Sequence, residues 1–297
     1  MPEPEKIKIL FIINSAAGNK ATDWPALIED YFAPLNYIVE LFTLPQDCNI
    51  QSIQEKINQF AAQQVVAVGG DGTVKLVAEC LIQKNIPIGI LPAGSANGMA
   101  KELGISEKPE EALHTLTNGL LKKIHVTRVN DQLCVHLSDI GFNAFLIKKF
   151  ETQKRRGMWG YLKASLKVLL NHPRMQVEME IDKKKVKLNA AMIVIANATK
   201  YGSGAVINPV GKLDDAMFEV IVLKKISLHE IYKMTFSHAM IDPAKTEIFQ
   251  TNALKMRSVT RAHFQVDGEY LGKVNEVNAS IITDALQMIV PAEVSNV

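Results

Sequence analysis

Residues 69–73 read Gly-Gly-Asp-Gly-Thr and close an apolar run, VVAV, at residues 65–68. Glycine carries no Cβ, so backbone there can approach a ligand closely. A helix that starts at such a turn offers unpaired N–H groups and a partial positive charge, which suit a phosphate. An acid inside the cradle repels phosphate unless Mg²⁺ lies between them, or unless the acid takes a proton from an attacking hydroxyl. Both conditions belong to phosphoryl transfer. Taken alone, the stretch is also compatible with a plain tight turn whose Asp71 caps the helix behind it.

Two further small-residue turns carry the same kind of chemistry: NSAAG at 14–18 and PAGSAN at 92–97. Late in the chain, Asp267 and Glu269 flank Gly268. On an extended strand the two carboxylates point to the same side; the competing reading is a solvated hairpin turn. No GxxxxGK[ST], no GxGxxG after a strand, no zinc-spaced His/Cys cluster and no GxSxG elbow occur, which removes the commonest alternatives.

The elements that must position these residues alternate. KIKILFII, YIVELFTL, VVAV and IPIGILP read as strands; TDWPALIEDYF, IQSIQEKINQFAAQ, TVKLVAECLIQKN and SANGMAKELGI read as helices, with apolar spacing at i, i+3 and i+4. Strand–helix alternation with short connections predicts a parallel sheet covered by helices. Ligands of such sheets bind at the C-terminal ends of the strands, where all three glycine-bearing turns fall. From about residue 124 the texture changes. IHVTRVNDQLCVHLSDIGF reads as two strands around an Asn-Asp turn, GMWGYLKASLKVLLNHP as a helix, and QVEMEID, KKKVKLNAAMIVIANA, AMFEVIVLKK, HFQVDGEY and QMIVPAEV as strands. That succession predicts a second domain of antiparallel sheet.

GGDGT followed by LPAGSAN resembles the diacylglycerol kinase catalytic-domain family, which includes bacterial lipid kinases and sphingosine and ceramide kinases. NSAAG, KRRGMWGYLKASLKVL, NATKYGSGAVINPVGKLDDAMFEVIVL and QVDGEY match further motifs of that family in the right order, across residues 14–270. The resemblance implies a phosphofructokinase-like α/β nucleotide-binding domain of Rossmann type over residues 1–124, with 285–297 returning to it. It implies a β-sandwich-like lipid-substrate domain over 125–284. The implied activity is ATP- and Mg²⁺-dependent transfer of the γ-phosphoryl group to a lipid hydroxyl. The ATP site would be lined by Asn14, Ser15, Ala16, Ala17, Gly18, Thr43, Gly69, Gly70, Asp71, Gly72, Thr73, Lys75, Gly94, Ser95 and Asn97. Asp267 would be the general base, with Asp71 and Glu269 organising metal or water. Asp215 would hold a structural Mg²⁺ with the backbone carbonyls of Lys212 and Met217; a simple Asp-Asp turn before a strand is the alternative.

Five positions depart from the family pattern: Lys75 and Leu76 for Asn and Glu, Gly98 for an Asp, His125 for an acid and Asn143 for an Asp. They admit a site with fewer carboxylates, in which Lys75 contacts phosphate directly, or a nucleotide- or lipid-binding protein without turnover. NAD kinases share GGDGT and are a further alternative.

Composition agrees with a soluble globular protein. The 297 residues are 47% hydrophobic and 22% charged with a net charge of +2, which does not indicate a global field for nucleic acid and leaves a local patch open. Three scattered cysteines form no CxxC and suit a reducing compartment. The N-terminal apolar run, Ile9–Ile13, is five residues long, well short of the roughly 18 a membrane span requires. The expected location is cytoplasmic, or peripheral at the inner face of the membrane. Residues 148–174 carry eight Lys or Arg against one acid, with Trp159 and Tyr161 among them. That composition suits contact with anionic lipid, and a solvated helix face explains it equally well. Whether the chain is a homodimer is open.

Overall fold

The structure, a computed structural model, describes residues 6–16, 22–45, 48–151, 174–200, 206–227 and 245–292. The chain divides into two units: residues 1–124 with 284–297, and residues 125–283.

The first unit alternates as the apolar spacing predicts: β1 (Ile7–Ile13), α1 (Trp24–Phe32), β2 (Tyr37–Thr43), α2 (Ile50–Phe60), β3 (Gln64–Gly69), α3 (Asp71–Leu81), β4 (Ile88–Pro92), α4 (Gly98–Glu102), α5 (Pro109–Asn118) and the start of β5 (Leu120–Val129). The strands β2, β1, β3 and β4 pair in parallel in that order. Ile9–Ile12 of β1 and all of β3 are buried, as unbroken apolar strands of a parallel sheet must be. Each fully buried Ile or Leu among them contributes about 1.5–3 kcal/mol. The helices begin where short polar side chains cap them. Asp23 accepts the Ala26 N–H ahead of α1, with Pro in its first turn, and Asn49 accepts the Ser52 N–H at 2.8 Å ahead of α2. The helix expected from Ser95 is only five residues long. The helix α5 was not anticipated; its charged first turn, PEEALH, hides a short apolar face made by Ala112, Leu113 and Leu116.

The second unit is antiparallel: the rest of β5, β6 (Gln132–Cys134), β7 (Leu137–Gly141), α6 (Phe142–Glu151), β8 (Met175–Ile181), β9 (Lys184–Ala190), β10 (Met192–Ala196), β11 (Phe218–Leu223), β12 (Thr246–Thr251), β13 (Ala253–Val266) and β14 (Glu269–Val290). It is the β-sandwich-like partner of the α/β unit. The strand β13 supplies the sandwich's turn between layers. Leu254–Ser258 pair with β8, whereas Phe264–Val266 pair with β7, and its register against β14 breaks between Arg257 and Ala262. Such an irregularity bends a strand and lets it serve two partners. Met179, Ile193, Phe218, Val220, Val266 and Val277 meet in the core so formed. The strand β8 alternates in burial, and its outward Glu178 faces Lys187 of β9 on one side and Arg257 of β13 on the other. A groove of about 930 Å³ runs along this face, with Glu178, Lys187, Arg257 and Glu276 in its wall. These are cross-strand charge pairs of a solvated sheet.

Several sequence expectations are corrected here. The expected second strand of IHVTRVNDQLCVHLSDIGF is two strands, β6 and β7, separated by Val135 and His136. KKKVKLNAAMIVIANA is likewise β9 and β10, split at Ala191. The helix α6 lies in a stretch that had no helical assignment. The helix expected over GMWGYLKASLKVLLNHP, with Trp159 and Tyr161, lies outside the described residues. Among the described residues no helix is long and apolar enough to cross a membrane.

Candidate functional site

In the first unit the three glycine-bearing turns come together at the C-terminal ends of β1, β3 and β4. The Asn14 N–H donates to the Val68 carbonyl at 3.0 Å, and its Nδ2 donates to Thr73 Oγ1 at 3.2 Å. Its Oδ1 accepts the Ala16 N–H, which folds the first turn back on itself. The Ala93 N–H donates to the Gly69 carbonyl, joining the second turn to the third. Thr43 ends β2 in register with Ile13 and is exposed on the same end of the sheet. Ser95 is exposed, Thr73 is buried, and Lys75 is 9% exposed. Ala17 and Gly18 lie outside the described residues.

The glycines have separable reasons. A Cβ on Gly69 would stand 2.2 Å from Thr73 Oγ1, and one on Gly94 would stand 2.4 Å from the Gly70 Cα. Gly69 has no room for a Cβ because Thr73 of its own turn folds back on it, and Gly94 has none because two turns touch. Gly72 is different: a Cβ there would meet nothing within 4 Å. Packing does not require glycine at the first turn of α3, where the backbone at Gly72 is open and exposed.

Asp71 does not cap its own helix. The cap position of α3 is Gly70, and Asp71 is the first helical residue. Its Oδ2 accepts the Gly98 N–H at 3.0 Å and its Oδ1 the Met99 N–H at 2.9 Å. Asn97, at φ +54°, clamps the same turn: its Oδ1 accepts the Gly94 N–H and its Nδ2 donates to the Gly94 carbonyl and to Glu107.

In the second unit the Asp267–Gly268 pair corrects the extended-strand expectation. Both residues have positive φ, +50° and +85°, and Val266 pairs directly with Glu269. They form a two-residue hairpin turn, the conformation Asp-Gly favours. Gly268 is exposed at its tip, but the Asp267 side chain is half-buried and turned back onto the protein. The Asp267 carboxylate accepts backbone N–H groups from Val135, His136 and Leu137 at 3.0, 2.9 and 3.2 Å. Its own N–H donates to the Leu137 carbonyl. This wrapping is why β6 and β7 are separate strands. Glu269 is exposed at the start of β14.

Sequence reasoning passed over Asp139 and Gln265. Asp139 sits in the middle of β7 at 1% exposure, cross-strand from Gln265. Its Oδ2 accepts from Asn143 Nδ2 at 2.6 Å and from Gln265 Nε2 at 2.5 Å. Burial pushes its pKa up from 3.8 to about 6, against the opposing effect of those bonds and of one from the Ala144 backbone N–H. An acid inside the apolar strand LSDIG was the available signal, since a buried Asp without partners is rare.

The expected structural metal ligands sit in a local turn. Asp215 Oδ1 accepts the Met217 N–H at 3.1 Å and Oδ2 accepts from Gln250; Lys212 is exposed. Nearby Glu219 is fully buried, and burial raises its pKa; Asn208 Nδ2 donates to its Oε2 at 2.5 Å. Among the described residues no three His, Cys, Asp or Glu side chains gather as a metal site would need. The open backbone at Gly72 leaves room for a phosphate group. A cation bridging a nucleotide's phosphates requires only one or two carboxylates, and Asp71 is the acid placed beside that glycine. Of the departures, Gly98 opens α4 and gives its N–H to Asp71; His125 is buried, with its carbonyl accepting from Asn197.

Residues 8–129 match the diacylglycerol kinase catalytic domain. Residues 139–290, just over half of the chain, match the YegS C-terminal NAD kinase beta sandwich-like domain. The chain belongs to this family, the diacylglycerol kinase catalytic-domain family in its YegS-like lipid kinase form. A diacylglycerol kinase of Bacillus subtilis is 27% identical over 70% of this chain and 71% of its own length. An uncharacterized protein of Synechocystis sp. is 27% identical over 77% of this chain, a match spanning 55% of that protein. The crystal structure of a diacylglycerol kinase from Bacillus anthracis superposes with a TM-score of 0.74 at 17% identity, covering 98% of both chains; at that identity the likeness speaks for the fold.

Proposed function

We propose that this chain is a lipid kinase that transfers the γ-phosphoryl group of ATP to the hydroxyl of a diacylglycerol-like lipid at a membrane surface. The observation that carries the reading is Gly72: at the meeting point of three turns, it alone of the GGDGT glycines within view of packing has open space where its side chain would be. ATP with Mg²⁺ would supply the phosphoryl group and the neutralising charge. The backbone of residues 69–73 and the start of α3 would cradle the phosphates. Asn14, Ser15, Ala16, Thr43, Gly94, Ser95 and Asn97 would border the nucleotide, and Lys75 would add positive charge. Asp71 would orient the cation's side of the phosphates, while Asp267 would accept the lipid hydroxyl's proton with Glu269 ordering water beside it. Phosphoryl transfer depends mainly on positioning and electrostatics, so a carboxylate held in one direction by backbone N–H groups suits the role. Asp215 with the carbonyls of Lys212 and Met217 is proposed as a structural cation site. Peripheral membrane contact through 148–174 rests on composition, because residues 152–173 lie outside the described residues.

A second reading is favoured by one observation. Each Asp71 oxygen already accepts a backbone N–H, so the chain could bind nucleotide without turnover.

The test is an assay with γ-labelled ATP and Mg²⁺ on mixed micelles of diacylglycerol, on a total lipid extract, and on NAD in parallel, with Asp267→Asn as control. Label entering the organic phase, and lost in a folded Asp267→Asn variant, is the expected result. Label on NAD overturns the lipid reading. ATP binding with no transfer selects the second reading.

A further inference from the structure

A carboxylate in the centre of a sheet is costly unless it is bonded, and Asp139 has an unusual arrangement of bonds. Both strong ones converge on Oδ2, and the Ala144 backbone N–H adds only a weaker one. The acceptor at Oδ2 faces Gln265, and Gln265 is 1% exposed and fully engaged. Its Nε2 donates to Asp139, its Oε1 accepts the Gly268 N–H at 2.7 Å, and its carbonyl accepts from Ser138 Oγ at 2.8 Å. An amide side chain can rotate by half a turn and exchange its oxygen and nitrogen. Asp139 removes that freedom. As an acceptor it forces the Gln265 nitrogen inward, so the oxygen must face Gly268.

We propose that Asp139 is a positioning residue: through Gln265 it sets the Asp267–Gly268 turn in the one geometry that presents the Asp267 carboxylate to a lipid hydroxyl. The inference rests on the reading of Asp267 as the proton acceptor. The turn is thus held from both sides. The backbone at 135–137 holds the carboxylate, and the Asp139–Gln265 strut holds the following amide.

The variants are Asp139→Leu, Gln265→Leu, their combination and Asp139→Asn. Each is assayed with γ-labelled ATP on diacylglycerol micelles and on total lipid extract, alongside Asp267→Asn. Hydrogen exchange is followed at the Gly268 amide. Gln265→Leu and Asp139→Leu are expected to lower kcat on the order of 10- to 100-fold, as a small misplacement of a reacting group does, with KM for ATP unchanged. Gly268 exchanges faster in both. The double variant is no slower than Gln265→Leu alone, because the two side chains act as one strut. Asp139→Asn keeps an acceptor oxygen for Gln265 and restores most of the rate lost in Asp139→Leu. If Asp139→Leu does not fold, Gln265→Leu and the Gly268 exchange decide. Wild-type kcat and Gly268 exchange in folded Gln265→Leu, with Asp267→Asn inactive, overturn the strut and leave the lipid kinase standing. Full activity in Asp267→Asn, or no transfer by the wild-type chain, overturns both.

Discussion

Asp71 opens one helix and caps the next: its carboxylate accepts the Gly98 N–H at 3.0 Å from across the meeting of two turns. The helix α4 that begins at Gly98 is only five residues long and has no side-chain cap from Asn97. Its first N–H groups are therefore satisfied from a neighbouring element. Where the resemblance expects a second acid, the chain has a backbone donor aimed at the first.

Replacing Asp71 by Ala leaves two partly buried N–H groups without their acceptor, a loss of about 1–3 kcal/mol. Thermal or urea unfolding should show it, with Asp71→Asn intermediate because one acceptor oxygen remains. An unchanged unfolding midpoint in Asp71→Ala would mean that the two bonds do not hold the turns together.

Gly72 and Gly94 should separate binding from folding. Gly72→Ala finds open space and should leave stability unchanged or raise it by up to about 1 kcal/mol, as Ala for Gly does in a helix. Its KM for ATP should rise severalfold as the methyl enters the cradle. Gly94→Ala puts a methyl 2.4 Å from the Gly70 Cα and should destabilise by about 1–3 kcal/mol. A Gly72→Ala variant with normal nucleotide affinity would remove the cradle from this turn.

Asp139 makes stability depend on pH with a definite sign. Its pKa rises from 3.8 to about 6 on folding, so the folded chain holds the proton more tightly than the unfolded one. That contribution is present below about pH 4 and is lost as pH climbs through 6, a change of at most about 3 kcal/mol. Asp139→Asn should flatten this part of the stability curve. At pH 7 it should be as stable as the parent or more so, measured as the difference between the two chains in urea. A variant equally less stable at every pH would refute the assignment.

The three cysteines should differ in reactivity. Cys80 is buried, and burial pushes its thiol up to about 12; Cys134 is buried beside Asp267, and Cys48 is half-buried in a loop. Because the thiolate is the reacting form, a maleimide at neutral pH should label Cys48 first and the other two only on unfolding. Mass spectrometry of digests would reveal the order.

The α/β unit was legible almost element by element, because its signals are local. Val65–Val68 is a run that only a buried strand explains, and Ile53 and Ile57 mark a helical face. The second unit was legible as antiparallel sheet, but its strand ends were not. The strand β14 runs 22 residues through polar and apolar stretches alike, since its neighbours change along its length. The split between β6 and β7 follows from Asp267, some 130 residues downstream, which no window around Val135 contains.

By its own spacing the sequence determined that three glycine turns would lie at one end of a parallel sheet, and that Asp267 and Gly268 would sit together. Both are consequences of nearest neighbours and of backbone preference. Tertiary structure decided which of those residues are there for packing and which have open space. Gly69, Gly70, Thr73 and Gly94 are fixed by contact with one another, and Gly72 is not. It also decided that Asp71 would face the next helix and that Asp139 would lie beside Gln265. Such pairings arise only when strands distant in the chain are brought into register, where a buried polar group must find its partner or lose the stability that burial supplied.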